Sequence, residues 1–227
     1  MRAPFARNRH RPARPFLLLA TALALAACGA SPEEQLQRAE AAFAENRFSA
    51  ARIDLAALLQ QRPDDPELLE LLARTQLQLG DGEGAAASLE RLAAAGGAPA
   101  DLEALRAEAD LLRGDFPAVL ARAGTIADAE GARLEALAQV GLGDLAAAEA
   151  AFSDGAGRPG PQARLLADHA LFRLRQGDGA GATWLAAEAL AADPRGLDPR
   201  IASARIAQAQ GDAAAALAHY EAAVATH

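Results

Sequence analysis

Ala73-Arg-Thr-Gln-Leu-Gln-Leu-Gly80-Asp-Gly-Glu-Gly-Ala85 carries the pattern that decides the fold. A run of helix-forming residues stops at Gly80 and another begins just beyond it. The Gly-Asp pair returns at Gly114-Asp115, Gly143-Asp144, Gly177-Asp178 and Gly211-Asp212, so successive pairs lie 34, 29, 34 and 34 residues apart. A step of 34 back from Gly80 lands on Asn46. Asparagine, after glycine, best tolerates the left-handed backbone that a tight helix–helix turn needs. Seven residues before each turn stands an alanine: Ala39, Ala73, Ala107, Ala136, Ala170 and Ala204. Five residues after each turn stand Ala51, Ala85, Val119, Ala148, Ala182 and Ala216. An alanine-rich composition supplies many alanines but does not hold one phase through six units. Crossing helices do, because their axes approach closely only where side chains are small. Nine residues after the turn, Leu55, Leu89, Phe152 and Tyr220 supply bulk, while Ala123 and Ala186 fall short. Pro63 and Pro194 stand where a second helix should stop.

These units, running from Pro32 to His227, resemble the tetratricopeptide repeat (TPR), a 34-residue helix–turn–helix. The resemblance implies an all-α, right-handed superhelical solenoid of about six TPR helix–turn–helix units, with the third unit shortened. One helix pair cannot cover its own apolar faces, so stacked neighbours form one domain. Some family positions depart from the pattern. Leu69 replaces an early aromatic of the first helix, and Ala42, Gln76 and Asp110 replace the later one. The third unit is five residues short, which predicts a stunted second helix around Pro117 to Thr125 and a local break in stacking. Asp154-Gly-Ala-Gly-Arg-Pro-Gly-Pro161 predicts a second soft point, since its Gly and Pro oppose helix.

Val, Ile, Thr and Tyr are scarce, which agrees with helix throughout. All 22 basic residues are Arg. Residues 1–27 hold five of them (Arg2, Arg7, Arg9, Arg11, Arg14) and no acid, so the remainder sets 17 Arg against 30 Asp and Glu, a net charge of −13. Such a body repels nucleic acid, and none is expected as a partner.

The same five Arg precede Phe16-Leu-Leu-Leu-Ala-Thr-Ala-Leu-Ala-Leu-Ala-Ala27, twelve residues and too few to span a bilayer, which takes about 20. A positive start, a short apolar run and small residues at its end describe a secretory signal. Leu25-Ala26-Ala27-Cys28 resembles the lipobox of bacterial lipoproteins. That resemblance implies a signal peptide over 1–27, diacylglycerol on the Cys28 thiol, and cleavage that leaves Cys28 as the new N-terminus. A lipidated N-terminus and short tether then cover 28–31, and the solenoid covers 32–227. Cys28 is the only cysteine, so no intramolecular disulfide exists. Gly29 in place of Asp favours the outer membrane by enterobacterial sorting rules. The expected location is therefore the cell envelope, lipid-anchored at the outer membrane and facing the periplasm.

No catalytic arrangement assembles. Gly80-Asp-Gly-Glu-Gly84 and Gly177-Asp-Gly-Ala-Gly181 mimic phosphate loops, but no strand precedes them and the chain has no Lys for a P-loop. His169 and His219 fall in different units without ligand spacing, so no metal is expected. Ser153, Ser203 and Thr183 lack a nucleophile-elbow context. Asp64 and Asp65 beside Pro63 read as a helix-start cap. Trp184 reads as core or interface packing rather than a sugar platform. No enzyme activity and no cofactor is expected.

What remains is a protein-binding groove. In TPR arrays the first helix of each unit lines the concave face, and the resemblance places there Glu40 and Phe43; Glu70, Arg74 and Leu77; Glu108 and Leu111; Arg133, Leu137 and Val140; Leu171 and Leu174; Arg205 and Gln208. Charged residues beside an apolar floor suit a helix or extended peptide. The Lys/Asn clamp of chaperone-binding TPR proteins is not visible.

Three stretches resemble TPR lipoproteins associated with exosortase (PEP-CTERM) and exopolysaccharide export. They are Phe48-Ser-Ala-Ala-Arg-Ile-Asp-Leu-Ala-Ala-Leu-Leu-Gln-Gln-Arg-Pro63, Gly80-Asp-Gly-Glu-Gly-Ala85 and Leu112-Arg-Gly-Asp-Phe-Pro-Ala-Val-Leu120. The resemblance covers the N-terminal part of those proteins and implies a membrane-anchored periplasmic scaffold with protein or peptide partners in the envelope. Rival readings are a pilus-secretin pilotin or outer-membrane-assembly lipoprotein and, from another class, an accessory of a periplasmic glycan-modifying enzyme. Leu217, Tyr220, Ala223 and Val224 share a stripe on the last helix, and self-association through it is a further expectation.

Overall fold

A computed structural model describes residues 31–226. Residues 1–30, which hold Cys28, the expected signal peptide and most of the expected tether, lie outside the described residues. Within them the chain forms twelve helices and no strand, arranged as six consecutive pairs. These are α1 (Pro32–Ala44) with α2 (Phe48–Gln61), α3 (Pro66–Gln78) with α4 (Gly82–Ala94), and α5 (Leu102–Arg113) with α6 (Phe116–Ala123). There follow α7 (Ala129–Leu142) with α8 (Leu145–Gly155), α9 (Ala163–Arg175) with α10 (Gly179–Ala192), and α11 (Leu197–Ala209) with α12 (Ala213–Thr226). None of the described helices is long and apolar enough to cross a membrane.

The recurring Gly-Asp pair performs two tasks. Its glycines adopt φ between +72° and +82°, and Asn46 adopts +57° in the first unit, so every first helix ends in a left-handed residue. The aspartate that follows caps the second helix. Asp81, Asp115, Asp144, Asp178 and Asp212 accept the amides of Gly84, Ala118, Ala147, Gly181 and Ala215 at 2.8–3.2 Å. Asp65 caps α3 through Glu67 and Leu68, as its place beside Pro63 predicts. Ser31 is the N-cap of α1 and forms a capping box with Glu34.

The alanine ladder lies where the helices cross. All six alanines before the turns have no exposed surface, and five of the six residues after them are equally covered. Leu55, Leu89 and Phe152 fill the larger space nine residues past the turn.

Helix α6 has eight residues, in agreement with the shortened third unit. The expected break in stacking is absent there, because α6 packs on α7 as fully as α2 packs on α3. Arg122 explains how so short a helix stays seated. Its guanidinium bridges Glu103 at 2.7 Å and Asp110 at 2.8 Å, both on α5. The thinnest junction is instead between α8 and α9, across the Gly- and Pro-rich segment. That segment is itself tied down. The Pro159 carbonyl accepts the Ala129 amide at 2.8 Å, and Gln162 Nε2 donates to the carbonyls of Gly155 and Arg158. Trp184 is not core: it is 61% exposed on α10, because its place in the helix faces away from α9 and α11.

Candidate partner-binding groove

The first helices and the loops between units enclose a groove of about 1150 Å³. Phe43 from α1, Arg74 and Leu77 from α3, and Glu108 from α5 line it, four of the residues anticipated on sequence. Much of the rest of its wall comes from the loops between units. Because α6 is short, Thr125, Ile126, Ala127 and Asp128 drop into the groove. Pro159, Pro161 and Gln162 enter from the α8–α9 connection, and Asp101 and Asp193 from the loops before α5 and α11.

Arg133 lies at the base of this face, 4% exposed. It reaches Glu108 at 2.8 Å, Glu130 at 2.6 Å and Asp168 at 2.9 Å, so one guanidinium ties α5, α7 and α9 together. Burial by itself would lower its pKa. Hydrogen bonding and charge from Glu130, with Asp168 and Glu108, outweigh burial and hold it above the ordinary guanidinium value. Its donors are therefore committed within the protein. Burial would likewise raise the Glu130 carboxyl, yet Arg133 holds it below the ordinary value of 4.5. Asp168 responds in the opposite sense: burial raises its pKa, Asp198 adds to that, and the pull of Arg133 does not cancel them.

Half-exposed Arg164 forms a second layer above. It meets Glu108 at 2.6 Å, Glu130 at 3.4 Å and Asp198 at 3.3 Å. Glu130, Arg164 and Asp198 are each 34 residues apart, so the arginine pairs with its own register mates on either side. That column, thirteen residues before each turn, was the sequence signal available for Arg164 and Glu130. Asp101, thirteen residues before Gly114, falls in the same column, whereas residues 125–128, 159–162 and Asp193 do not. Nearer the amino end, Arg74 bonds Glu70 at 2.9 Å and Asp101 at 2.8 Å.

The other anticipated residues divide by burial. Leu111, Leu137, Val140 and Leu174 are half-buried and pack against the core clusters, as does Leu171. Glu70 is half-buried in its pair with Arg74. Glu40, Arg205 and Gln208 are exposed and lie outside the groove, with Gln208 taking the Tyr220 hydroxyl at 3.5 Å.

His169 belongs to a separate cluster between α8 and α9. It stacks on Phe152 with ring centres 4.8 Å apart, and Glu149 and Arg173 meet beside it. Burial lowers its pKa below 6.5 despite Glu149, so the ring is neutral at pH 7. Among the described residues, no group of His, Cys, Asp and Glu has metal-binding geometry.

Comparison with known proteins agrees with this architecture. A tetratricopeptide repeat family model matches residues 42–109. A thermophilic TPR protein of Thermus thermophilus is similar at 23% identity, over 79% of this chain and 99% of its own, with a TM-score of 0.62. Pseudomonas aeruginosa PilF is similar at 11% identity, over 83% of this chain and 88% of its own, with a TM-score of 0.52. The APC/C hetero-tetramer Cut9–Hcn1 is similar at 12% identity, over 86% of this chain and 40% of its own, with a TM-score of 0.57. No curated protein matches by sequence. At such identities the likeness is one of fold, and the fold is the TPR solenoid.

Proposed function

We propose that this tetratricopeptide repeat solenoid is a lipid-anchored scaffold of the bacterial envelope, and that its groove holds a segment of another protein. The observation that carries the reading is the groove itself. It exceeds the roughly 300–1,000 Å³ of ordinary small-molecule sites, and it combines an apolar floor with charged walls on a rigid helical frame. The lipobox at Leu25 to Cys28 supports anchoring, and two or three acyl chains hold a protein on a membrane where one does not. The three stretches that resemble exosortase-associated lipoproteins favour a place in exopolysaccharide export. The pilotin reading is its rival.

Photo-crosslinking in intact envelopes tests the proposal. A crosslinker at Leu77 or Ala104, inside the groove, is expected to trap a discrete partner band. One at Ile53 or Trp184, exposed and outside it, is expected not to. Identical products from all four positions would remove the groove from the account. The trapped protein's class separates glycan export from pilus assembly.

A further inference from the structure

We infer that the groove takes a basic segment of its partner, one that alternates Arg or Lys with apolar residues. This rests on the groove being the partner-binding site and names the chemistry of what it binds. Its lining holds six acids (Asp101, Glu103, Glu108, Asp128, Glu130, Asp193) against two bases, Arg74 and Arg164. The imbalance survives a fuller count. Adding every ion-pair partner of those side chains brings in Arg106, Arg122 and Arg133, but also Glu70 and Asp198, which leaves eight acids to five bases.

The bases are already engaged: Arg164, though 49% exposed, meets Glu108, Glu130 and Asp198. Arg133 is buried with its donors committed to three carboxylates, and Arg122 is committed to α5. Asp101 and Glu103 remain 47% and 42% exposed, so each presents carboxylate surface to the groove while still paired. Between these acids Leu77, Ala104 and Ile126 form an apolar floor. Alternating side chains of an extended peptide point to opposite sides. An apolar residue seated on this floor thus leaves its cationic neighbours turned toward the rim, where the acids are. The field of the strongly acidic body outside residues 1–27 adds long-range attraction for the same ligand.

The test uses the full-length gene product purified from expressing cells, a short fluorescent peptide alternating Arg and Leu, and its Glu/Leu counterpart. The Arg/Leu peptide is expected to bind and the Glu/Leu peptide not to. Binding should weaken about tenfold between low salt and 0.5 M NaCl, since exposed charges are screened. Asp101→Asn with Glu103→Gln and Asp193→Asn should weaken it at least about tenfold at low salt. Exposed Glu90→Gln, Glu188→Gln and Glu221→Gln, which lie outside the groove, should leave it within about twofold. Should the groove triple variant fold poorly by circular dichroism, the salt dependence of the unaltered protein still decides. No binding of the Arg/Leu peptide, equal binding of both peptides, salt-independent binding, or equal loss in both triple variants would each overturn the inference. A partner crosslinked at Leu77 through a segment without Arg or Lys would overturn it too, while leaving the scaffold reading in place.

Discussion

Ala170 and Ala100 are one residue type in opposite situations. Ala170 is fully covered where α9 meets α10, and Ala100 is exposed in the loop before α5. Enlarging the first must push two helices apart; enlarging the second meets solvent. Ala170→Leu, and Ala136→Leu in the neighbouring unit, should each cost about 1–3 kcal/mol, and Ala100→Leu far less. Chemical denaturation of the three variants measures this, and equal midpoints would invalidate the assigned phase. The alanine positions were legible in the sequence because a periodic constraint leaves a periodic trace. Gly131 and Gly141 were not. A Cβ on Gly131 would stand 2.2 Å from the Ile126 carbonyl oxygen, and one on Gly141 would stand 2.3 Å from the Phe116 ring. Both glycines answer to a neighbour brought close by the shortened third unit, so neither falls at a repeating position.

Among the elements, α6 shows how a shortened repeat keeps its place. Eight residues bury little, and the ion pairs of Arg122 with Glu103 and Asp110 supply the seat that length would otherwise give. Arg122→Gln leaves Asp110, nearly buried, with Arg113 as its remaining cation. Amide exchange across Phe116 to Ala123 should then quicken well before the α9–α10 pair responds; a uniform change across all pairs would mean that α6 does not depend on the bridge. The inter-helix carboxylates also set a pH response. Glu103 resembles Glu130: burial would raise its pKa, and Arg106 and Arg122 hold it below 4.5. Groups with lowered acid pKa values stabilise the fold above about pH 4.5 and lose that contribution as pH falls through their folded values. Neutral His169 acts in the same sense from 6.5 downward, because the unfolded chain takes up its proton first. Asp168, raised in the fold, opposes this trend. The thermal midpoint should therefore fall as pH drops from 7, with His169→Gln flattening the fall below about pH 6.5 and Glu130→Gln the fall below about pH 4.5. Unchanged slopes in both variants would show that neither group is linked to folding.

For the molecule as a whole, the sequence revealed the solenoid more fully than its site. Repeat phase depends on local helix crossings, and six copies of one pattern make those plain. The groove depends on loops of unequal length, such as 124–128 and 156–162, whose placement follows from how whole units stack; hence the repeat register points to Phe43, Arg74, Leu77 and Glu108 in its lining and not to Asp128 or Gln162. The proposed anchoring depends on neither. It would rest on Cys28 and the apolar run before it, and its consequence is to be read in the cell. On the proposed anchoring, Cys28→Ser removes the thiol that takes the lipid, so the protein should appear as uncleaved precursor or leave the membrane fraction as soluble protein. Globomycin, which blocks the lipoprotein-specific peptidase, should accumulate an acylated precursor of the unaltered chain and leave the serine variant unaffected. Removing the lipid need not disturb the groove, since α1 begins from its own capping box at Ser31 and Glu34. The serine variant should therefore keep its thermal midpoint and lose only its place in the cell. Membrane fractionation unchanged by the substitution would mean that something other than Cys28 holds the scaffold there.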